Sequence, residues 1–369
     1  MDINNEKAKI QLEAFTALKK VNFNGIVLLP TGSGKGKIML DCLLHLNQPK
    51  ILYLCNTTLA RDHTFKDELR AWDKAHLIDK IQFECYQTAC KWVDKSFNIV
   101  LGDEFDAALT PQYIKAITKN NFNHKILVSA TLEEVKKRQA QKIAPIVYER
   151  KVAEMIDRKV LNKQKFYFVN YDLSLAENRR YLEFNRSFVY YLNQPTGKLR
   201  EFRLNQVKIA RKQFLDGLSS SVAVSKWLIQ KLDKPNNKII VFTGLSSQAD
   251  QICPPYSFHS NDKTGIEWFN KFDLGTINKL AVVGKIDRAL NIKGINNIVF
   301  SSVGSSKTRL TQRTGRGMRL GVEDTLNIFF QVPYFRDTKG VKKPTVVLSW
   351  ILKSTVDNDI SKATNIDYV

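Results

Sequence analysis

Short apolar runs alternate with stretches of helical periodicity through the first 150 residues of this chain. The runs lie at 25–29, 51–54, 81–84, 98–102, 125–129 and 145–148. Helical periodicity occupies 35–46, 60–72 and 132–143. Strands of a parallel sheet are buried on both faces and are typically continuous apolar runs of this length. Strands that alternate with helices therefore predict a parallel sheet with helices on both faces.

The pattern changes near residue 150 and returns near residue 236. The stretch 151–235 is mostly helical in periodicity and is rich in aromatic and basic residues. Strand-like runs then recur at 239–243, 279–283, 297–301 and 326–332. We therefore predict an α/β protein with two doubly wound parallel-sheet lobes, one in 1–150 and one in 236–369, joined by a helical accessory segment. The polar residues after about 354 are expected to fray.

A glycine-rich loop follows the first predicted strand. Its residues are Pro30, Thr31, Gly32, Ser33, Gly34 and Lys35. Backbone N–H groups of such a turn at a helix N-terminus form a cradle for an anion. The two glycines permit the tight turn, and Lys35 would reach the β- and γ-phosphates of a nucleotide. The alternative is an ordinary glycine turn with a solvated lysine.

The residue after this lysine departs from the phosphate-loop pattern. The pattern has Ser or Thr there, because that hydroxyl binds Mg²⁺, whereas this chain has Gly36. Mg²⁺ keeps several waters in most sites, so a water can fill the vacant position. We therefore expect weakened metal or nucleotide binding rather than loss of the chemistry.

An acidic tetrad, Asp103-Glu104-Phe105-Asp106, follows the strand predicted at 98–102. Open α/β sheets bind ligands at the carboxyl ends of their strands. Asp103 is therefore a candidate ligand for Mg²⁺, and Glu104 is a candidate to orient or deprotonate an attacking water. An isolated acidic pair is more often an exposed turn, but the strand before this one favours the functional interpretation.

A basic motif further along the chain reads Gln312-Arg313-Thr314-Gly315-Arg316-Gly317-Met318-Arg319. Arg316 and Arg319 would stabilise charge on a transferring phosphoryl group, a contribution of about 10³–10⁵ in rate. Gln312 would hydrogen-bond the γ-phosphate or its attacking water. The alternative is a basic helix that faces solvent or nucleic-acid phosphate.

These segments resemble, in sequence and in order, the motifs of superfamily 2 helicases and translocases, and the resemblance covers nearly the whole chain. The segments that carry it, besides the loop, are Gln11, Asn56–Ala60, the DExD/H box at Asp103–Asp106, Ser129–Thr131 and the Q-x-x-G-R-x-x-R motif at Gln312–Arg319. The resemblance implies that Gln11 reads adenine and that Thr57 and Thr58 contact the nucleic-acid backbone. It also implies that Ser129 and Thr131 link hydrolysis to strand movement.

Two looser segments belong to the second predicted lobe. Ile239–Thr243 is similar to motif IV, and Leu290–Phe300 stands in the place of motif V, with Arg288 and Ala289 departing from the usual pattern. This second segment most resembles the phage UvsW-type recombination and repair helicases. The resemblance implies two RecA-like lobes with ATP in the cleft between them, Mg²⁺ bound by Asp103, and remodelling of branched DNA or R-loops.

The charge balance favours a polyanionic partner. The chain carries 57 Lys and Arg against 36 Asp and Glu, a formal net charge of +21, and such a balance suits nucleic acid. The region 179–212 holds nine basic residues against two acidic ones, with interleaved aromatic residues on which bases can stack. An equally good interpretation is a solvated face above core contacts. The candidates for nucleic-acid contacts are Arg200, Arg203 and Arg211.

The sequence has no feature of a membrane or secreted protein. No apolar run reaches the roughly 20 residues that span a bilayer, and the first residues lack a signal-peptide pattern. The five cysteines are scattered, without the spacing of a zinc site. We expect a cytoplasmic protein (in the host cytoplasm if phage-encoded) with neither disulfides nor structural metal. A monomer is compatible with the sequence.

The sequence thus predicts an ATP hydrolase that uses ATP and Mg²⁺ to move along nucleic acid, with DNA favoured over RNA. Three rival interpretations stay open: a nucleic-acid clamp that lost Mg²⁺ chemistry at Gly36, the motor component of a larger restriction or defence assembly, and an RNA helicase. The acidic pair and the two arginines argue against the clamp, since a clamp would not need all four.

Overall fold

The computed structural model describes residues 3–58, 60–130, 132–259, 264–283, 294–303, 310, 325–354 and 360–368. Within these residues the chain divides into two compact units, and the division falls between Asn162 and Lys163. The stretch 163–235, which the sequence pattern assigns to an accessory segment between two lobes, belongs to the second unit.

The first unit is built on a six-stranded sheet whose strands pair in parallel. They are β1 (Asn24–Leu28), β2 (Ile51–Cys55), β3 (Ile81–Cys85), β4 (Ser96–Gly102), β5 (Asn121–Ser129) and β6 (Ile146–Glu149), in the order β3-β2-β4-β5-β1-β6. Ile26, Leu52, Val100 and Leu127, from four neighbouring strands, join one buried apolar cluster. This shared core explains why the strands are continuous apolar runs in the sequence.

Seven described helices accompany this sheet. They are α1 (Ile3–Lys20), α2 (Lys35–Leu46), α3 (Phe65–Ala71), α4 (Tyr86–Ala89), α5 (Lys115–Thr118), α6 (Glu134–Ala140) and α7 (Val152–Asp157). A π-helical turn at Ala60–Thr64 leads into α3. Asn47 caps the C-terminal end of α2: its φ of 43° is left-handed, and its N–H donates to the Leu43 carbonyl at 2.9 Å. Asparagine is one of the few residues that adopt this helix-ending conformation readily.

The second unit contains an eight-stranded sheet. Its strands are β7 (Lys163–Asp172), β8 (Ile239–Phe242), β9 (Ser257–Phe258), β10 (Lys279–Val282), β11 (Asn297–Phe300), β12 (Thr325–Arg336), β13 (Lys342–Pro344) and β14 (Thr364–Asp367). Along the order β14-β7-β12-β11-β8-β10-β9 every pair is parallel, and β13 pairs antiparallel with β12.

Six described helices accompany this sheet. They are α8 (Leu175–Leu192), α9 (Lys198–Asp216), α10 (Ser219–Leu232), α11 (Ser246–Ile252), α12 (Gly265–Asp273) and α13 (Val346–Ser354). α8 starts with a capping box: Ser174 Oγ accepts from the Glu177 N–H at 3.3 Å, and Glu177 Oε2 accepts from the Ser174 N–H at 2.9 Å. α8 and α9 pack together as a helical hairpin, and Leu228 of α10 joins Val241 of β8 in the core.

Four strands of the second sheet, β7, β9, β13 and β14, lie outside the runs that the sequence pattern predicts. β7 lies in the segment expected to be helical, and it pairs along its full length with β12, from Lys163 opposite Thr325 to Asp172 opposite Tyr334. The expectation that the C-terminal residues fray is wrong for β14, because this strand pairs with β7. β7 and β14 depend on backbone pairing between distant segments, which local apolar periodicity does not report.

Candidate functional site

A tight turn connects β1 to α2 and contains the predicted phosphate loop. Gly32 and Gly34 have φ angles of 94° and 87°, in the left-handed region where a side chain is costly. α2 begins at Lys35, directly after the second glycine, and runs for 12 residues. Because the first N–H groups of a helix have no intrahelical partner, this turn has the backbone chemistry of an anion cradle.

Lys35 bends back over this turn. Its Nζ donates to the Leu29 carbonyl at 3.0 Å and to the Pro30 carbonyl at 3.4 Å. The buried Ser33 hydroxyl donates to the same Pro30 carbonyl at 2.8 Å. These contacts keep the ammonium group beside the turn, where a phosphate would be its natural counter-ion.

Gln11 of α1 lies against the same turn. Its Nε2 donates to the Ser33 carbonyl at 3.3 Å, and a Cβ atom built on Gly34 would overlap this amide group. Glycine is therefore favoured at position 34 for two reasons, its positive φ and the close approach of Gln11. The structure thus brings the predicted adenine reader to the predicted phosphate loop.

Gly36 is buried in the first turn of α2. The space that a side chain would take there is filled by the carboxylate of Glu68, which lies on α3, and a Cβ atom built on Gly36 would overlap that carboxylate. The sequence interpretation puts a water in this position. The structure places a carboxylate oxygen there instead.

Asp103 directly follows β4, and both of its carboxylate oxygens accept hydrogen bonds. Tyr53 Oη donates to Oδ2 at 3.0 Å, and the Glu104 N–H donates to Oδ1 at 2.9 Å. Tyr86 Oη donates to the Asp103 carbonyl at 3.0 Å. Burial raises the pKa of both tyrosines well above the usual value for a phenol, so both stay protonated and remain donors. Asp103 is therefore held in one orientation.

Glu104 has an uncommon backbone conformation. Its φ is 48°, a left-handed value that few residues other than glycine adopt. Such conformations cost free energy and concentrate at functional sites. The backbone conformation of Glu104 is therefore compatible with a catalytic role.

Ser129 links the acidic tetrad to the phosphate loop. It is the buried last residue of β5, and its Oγ donates to Asp106 Oδ1 at 2.8 Å. The Ser129 carbonyl accepts from the Leu29 N–H at 3.0 Å, and the Leu29 carbonyl accepts from Lys35. A continuous series of hydrogen bonds therefore joins the tetrad, the end of β5 and the lysine of the loop.

Thr57 and Thr58 follow β2. Thr57 Oγ1 accepts from the Ala60 N–H at 3.1 Å, which caps the helical turn after it, and Thr58 is exposed. Several residues assigned roles from the sequence lie outside the described residues: Thr131, Gln312, Arg316, Arg319 and the first part of the segment compared with motif V.

Two of the three candidate nucleic-acid arginines make contacts within the α8–α9 hairpin. Arg200 donates to the carbonyl oxygens of Tyr191 and Leu192, at the C-terminal end of α8, at 3.2 and 2.8 Å. Arg211 donates to Asn185 Oδ1 at 3.1 Å. Arg200 and Arg211 therefore join the two helices.

Arg203 differs from the other two arginines. It is exposed and donates to Gln206 Oε1 at 3.2 Å, within α9. Lys198 and Lys208 on the same helix are also exposed. The exposed cations of α9 are therefore Arg203 and these two lysines, rather than the full set of arginines that the sequence suggested.

Mg²⁺ needs few protein ligands at such a site. Among the described residues, no group of three or more His, Cys, Asp or Glu side chains has a metal-binding arrangement. Mg²⁺ bound with a nucleotide is typically held by one or two carboxylates, phosphate oxygens and water. Asp103 follows β4 and the loop follows β1, so both lie at the carboxyl edge of one parallel sheet. These residues fit a magnesium–nucleotide complex.

The comparison with known proteins gives the fold. No protein-family model and no curated protein matches the chain. The ATP-dependent Type ISP restriction-modification enzyme LlaBIII bound to DNA matches with a TM-score of 0.63 and 13% identity, over 97% of this chain but only 31% of that chain. The Pyrococcus furiosus Hef helicase domain matches with a TM-score of 0.55 and 16% identity, over 93% of this chain and 97% of that chain.

The S. cerevisiae protein Dbp5 bound to RNA and ADP BeF3 also matches, with a TM-score of 0.59 and 14% identity over 97% of this chain and 89% of that chain. At these identities the likeness shows the fold. The prediction of an α/β fold with two RecA-like parallel-sheet lobes is therefore confirmed. Separately, none of the described helices is both long and apolar enough to cross a membrane.

Proposed function

We propose that this chain is a superfamily 2 helicase or translocase that hydrolyses ATP with Mg²⁺ to move along nucleic acid, with DNA as the preferred track. The observation that carries the proposal is the hydrogen-bonded link from Lys35 through Leu29 and Ser129 to Asp106. An ordinary glycine turn with a solvated lysine requires no such link. Motors couple their phosphate site to the rest of the lobe, and this link is a physical route for that coupling.

The residues of the first unit have distinct roles in this proposal. The N–H groups after Gly34 would bind phosphate oxygens, and Lys35 would exchange its carbonyl partners for the β- and γ-phosphates. Mg²⁺, when bound, neutralises phosphate charge, and Asp103 is its proposed ligand. Glu104 would orient the attacking water or accept its proton. Gln11 would bind the adenine edge.

The second half of the chain would complete the chemistry. Arg316 and Arg319 would stabilise the charge that develops on the γ-phosphoryl group, and Gln312 would hydrogen-bond it or the attacking water. Thr57 and Thr58 would hold the nucleic-acid backbone, which gives binding without sequence readout. The resemblance to UvsW-type helicases supports branched DNA or R-loops as the substrate, in recombination or repair.

The experiment that tests this proposal is ATP turnover measured with a panel of nucleic acids. The panel contains single-stranded DNA, a DNA fork, a four-way junction and single-stranded RNA, each at saturating concentration. We expect stimulation by DNA, greatest with the branched substrates. Greater stimulation by RNA would make this an RNA helicase, and turnover that no nucleic acid changes would contradict a motor.

A clamp without hydrolysis is the second candidate, because Gly36 lacks the hydroxyl that usually binds Mg²⁺. A clamp would bind nucleic acid tightly and show no turnover with any member of the panel. The strained Glu104 and the fixed orientation of Asp103 favour hydrolysis over this alternative.

We expect the exposed cations of α9 to contribute to nucleic-acid affinity through phosphate contacts. Replacement of Lys198, Arg203 and Lys208 by alanine should reduce the slope of log affinity against log salt by up to about 2–3, since each lost phosphate contact removes about 0.7–0.9 from the slope. The measurement is fluorescence anisotropy of labelled single-stranded DNA over a range of salt concentrations. Alanine favours helix, so the hairpin should stay folded.

The control for this experiment is a triple alanine variant at Lys19, Lys20 and Lys50. All three lysines are exposed. Lys19 and Lys20 end α1 shortly before β1, and Lys50 directly precedes β2, so they lie at the edge of the sheet opposite the candidate site. We expect its salt slope to stay near that of the parent protein. Equal slopes for both variants would show that the exposed cations of α9 face solvent and do not contact nucleic-acid phosphates.

We expect Ser129→Ala to uncouple hydrolysis from nucleic acid. The substitution removes a hydrogen bond to the buried carboxylate of Asp106, at a cost of about 1.5–3 kcal/mol in stability, but leaves Lys35 and Asp103 in place. Basal ATP turnover should stay close to the parent rate, while its stimulation by DNA should fall several-fold. Turnover is measured with and without DNA.

Ser225→Ala is the matched control for Ser129→Ala. Ser225 is also a buried serine of the second unit, and its Oγ donates to the Ser221 carbonyl at 2.8 Å and accepts from Gln331 Nε2 at 2.7 Å. Its replacement should cause a comparable loss of stability without uncoupling. If both variants lose stimulation equally, the effect of Ser129 is only structural.

A further inference from the structure

Gly36 and Glu68 are complementary in shape. Gly36 has no side chain, and the three heavy atoms nearest to the position of its absent Cβ all belong to the Glu68 carboxyl group. The first side-chain atoms of Ser or Thr at position 36 would occupy this same space. Glu68 therefore puts a carboxylate oxygen at the Cβ position of the residue whose hydroxyl the phosphate-loop pattern requires.

Helix α3, which carries Glu68, also contacts the tyrosine of β2 that binds the acidic motif. Tyr53 is fully buried and donates to Asp103 Oδ2 at 3.0 Å. Phe65, on the same helix as Glu68, stacks on the Tyr53 ring, with the ring centroids 5.0 Å apart. The helix that carries Glu68 therefore packs directly against the tyrosine that orients the proposed magnesium ligand.

A carboxylate in this position has opposite effects with and without a cation. Like charges repel, so Glu68 beside the cradle disfavours the bare phosphates of a nucleotide. Mg²⁺ between the carboxylate and the phosphates reverses the effect, because Mg²⁺ prefers oxygen ligands and is commonly held by one or two carboxylates together with phosphate oxygens. A hydroxyl at position 36 would not impose the same repulsion.

We propose that Glu68 replaces the missing hydroxyl of the phosphate loop and supplies a carboxylate oxygen to the Mg²⁺ of the bound nucleotide. This inference rests on the proposed function, since it concerns the same nucleotide site. It makes nucleotide binding strictly dependent on Mg²⁺. It also explains how a chain with Gly36 retains magnesium chemistry, because the ligand comes from α3 rather than from α2.

The competing explanation is structural. An acidic side chain near a helix N-terminus interacts favourably with the helix dipole, and Glu68 next to the first turn of α2 would do so without any metal. The two roles differ in their dependence on Mg²⁺. Only a metal ligand links the Glu68 charge to the affinity for Mg²⁺.

The test is the equilibrium binding of fluorescent ADP, titrated with Mg²⁺ and compared with binding in EDTA. For Glu68→Gln and Glu68→Ala we expect an apparent Mg²⁺ affinity weaker by about 10-fold or more, together with tighter binding in EDTA than the parent protein shows. Asp67→Ala is the matched control, because Asp67 is an exposed acidic neighbour that pairs with Arg70. It should leave both quantities unchanged.

The double variant Gly36→Thr/Glu68→Ala provides a gain-of-function test. It restores the usual hydroxyl and removes the carboxylate that the threonine would overlap. We expect it to recover much of the Mg²⁺ dependence that Glu68→Ala loses. Thermal unfolding of each variant verifies that it is folded.

The outcomes separate this inference from the proposed function. Parent protein that binds ADP with Mg²⁺, together with a Glu68→Ala variant of unchanged Mg²⁺ dependence, would overturn the role of Glu68 and leave the nucleotide site intact. Parent protein that binds no nucleotide at all would overturn both. The inference would be supported if both Glu68 variants show weaker Mg²⁺ affinity and tighter ADP binding in EDTA than the parent protein, while Asp67→Ala shows neither change.

Discussion

ATP turnover is expected to fall to background in Lys35→Ala, while affinity for nucleic acid stays close to that of the parent protein. Lys35 is the side chain that lies over the glycine turn, where its Nζ is held by the Leu29 and Pro30 carbonyls at 3.0 and 3.4 Å. Alanine removes the positive charge that would reach the β- and γ-phosphates, but it leaves the turn and the exposed cations of α9 unchanged. Steady-state turnover and DNA anisotropy measure the two quantities.

Lys37→Ala is the matched control, since it removes a lysine from the same helix. Lys37 pairs with Asp41, and its Nζ lies 5.3 Å from the centre of the Trp72 ring. These contacts are on the surface, where an ion pair contributes about 0–1 kcal/mol to stability, so turnover should stay near the parent rate. Turnover that persists in Lys35→Ala would show that the loop is not the phosphate site.

Arg316→Ala should lower turnover by about 10³–10⁵ with little loss of nucleotide affinity. The reason is that an arginine finger acts mainly on charge that develops in the transition state, so its removal affects the rate more than ground-state binding. The measurements are single-turnover hydrolysis and fluorescent ADP binding.

Arg313→Ala is the control for Arg316→Ala, because Arg313 belongs to the same motif but has no assigned contact with phosphate. It should retain most of the turnover. A near-normal rate for Arg316→Ala would instead assign Arg316 to nucleic-acid phosphate, the alternative that the sequence leaves open.

The central strands of the first unit, such as β1 and β2, could be predicted closely because they are buried on both faces. The run at 51–54 corresponds to β2 (Ile51–Cys55), all five residues of which are buried. β14 could not be predicted in this way, because Thr364–Asp367 is polar and largely exposed. That strand exists because its backbone pairs with β7, and its side chains carry no signal of that pairing.

The candidate site was predictable where backbone conformation or charge requires a particular residue. Glycine at 32 and 34 follows from the positive φ of the turn, and Asp103 follows from its place after an apolar strand. Tyr53 and Glu68 could not be found, since their contacts depend on α3 and β2 meeting the loop in three dimensions. The single signal for Glu68 was indirect: glycine at position 36 leaves a space that another side chain can fill.

The most direct test of the central claim is ATP-dependent displacement of a bound block from nucleic acid. Streptavidin is attached to one end of a biotinylated DNA strand, and its release is followed over time with strands of increasing length. We predict release that requires ATP and Mg²⁺, with a lag that grows with strand length and no release by Lys35→Ala. Tight binding of the strand without ATP-dependent release, or release with no dependence on length, would contradict a translocating motor.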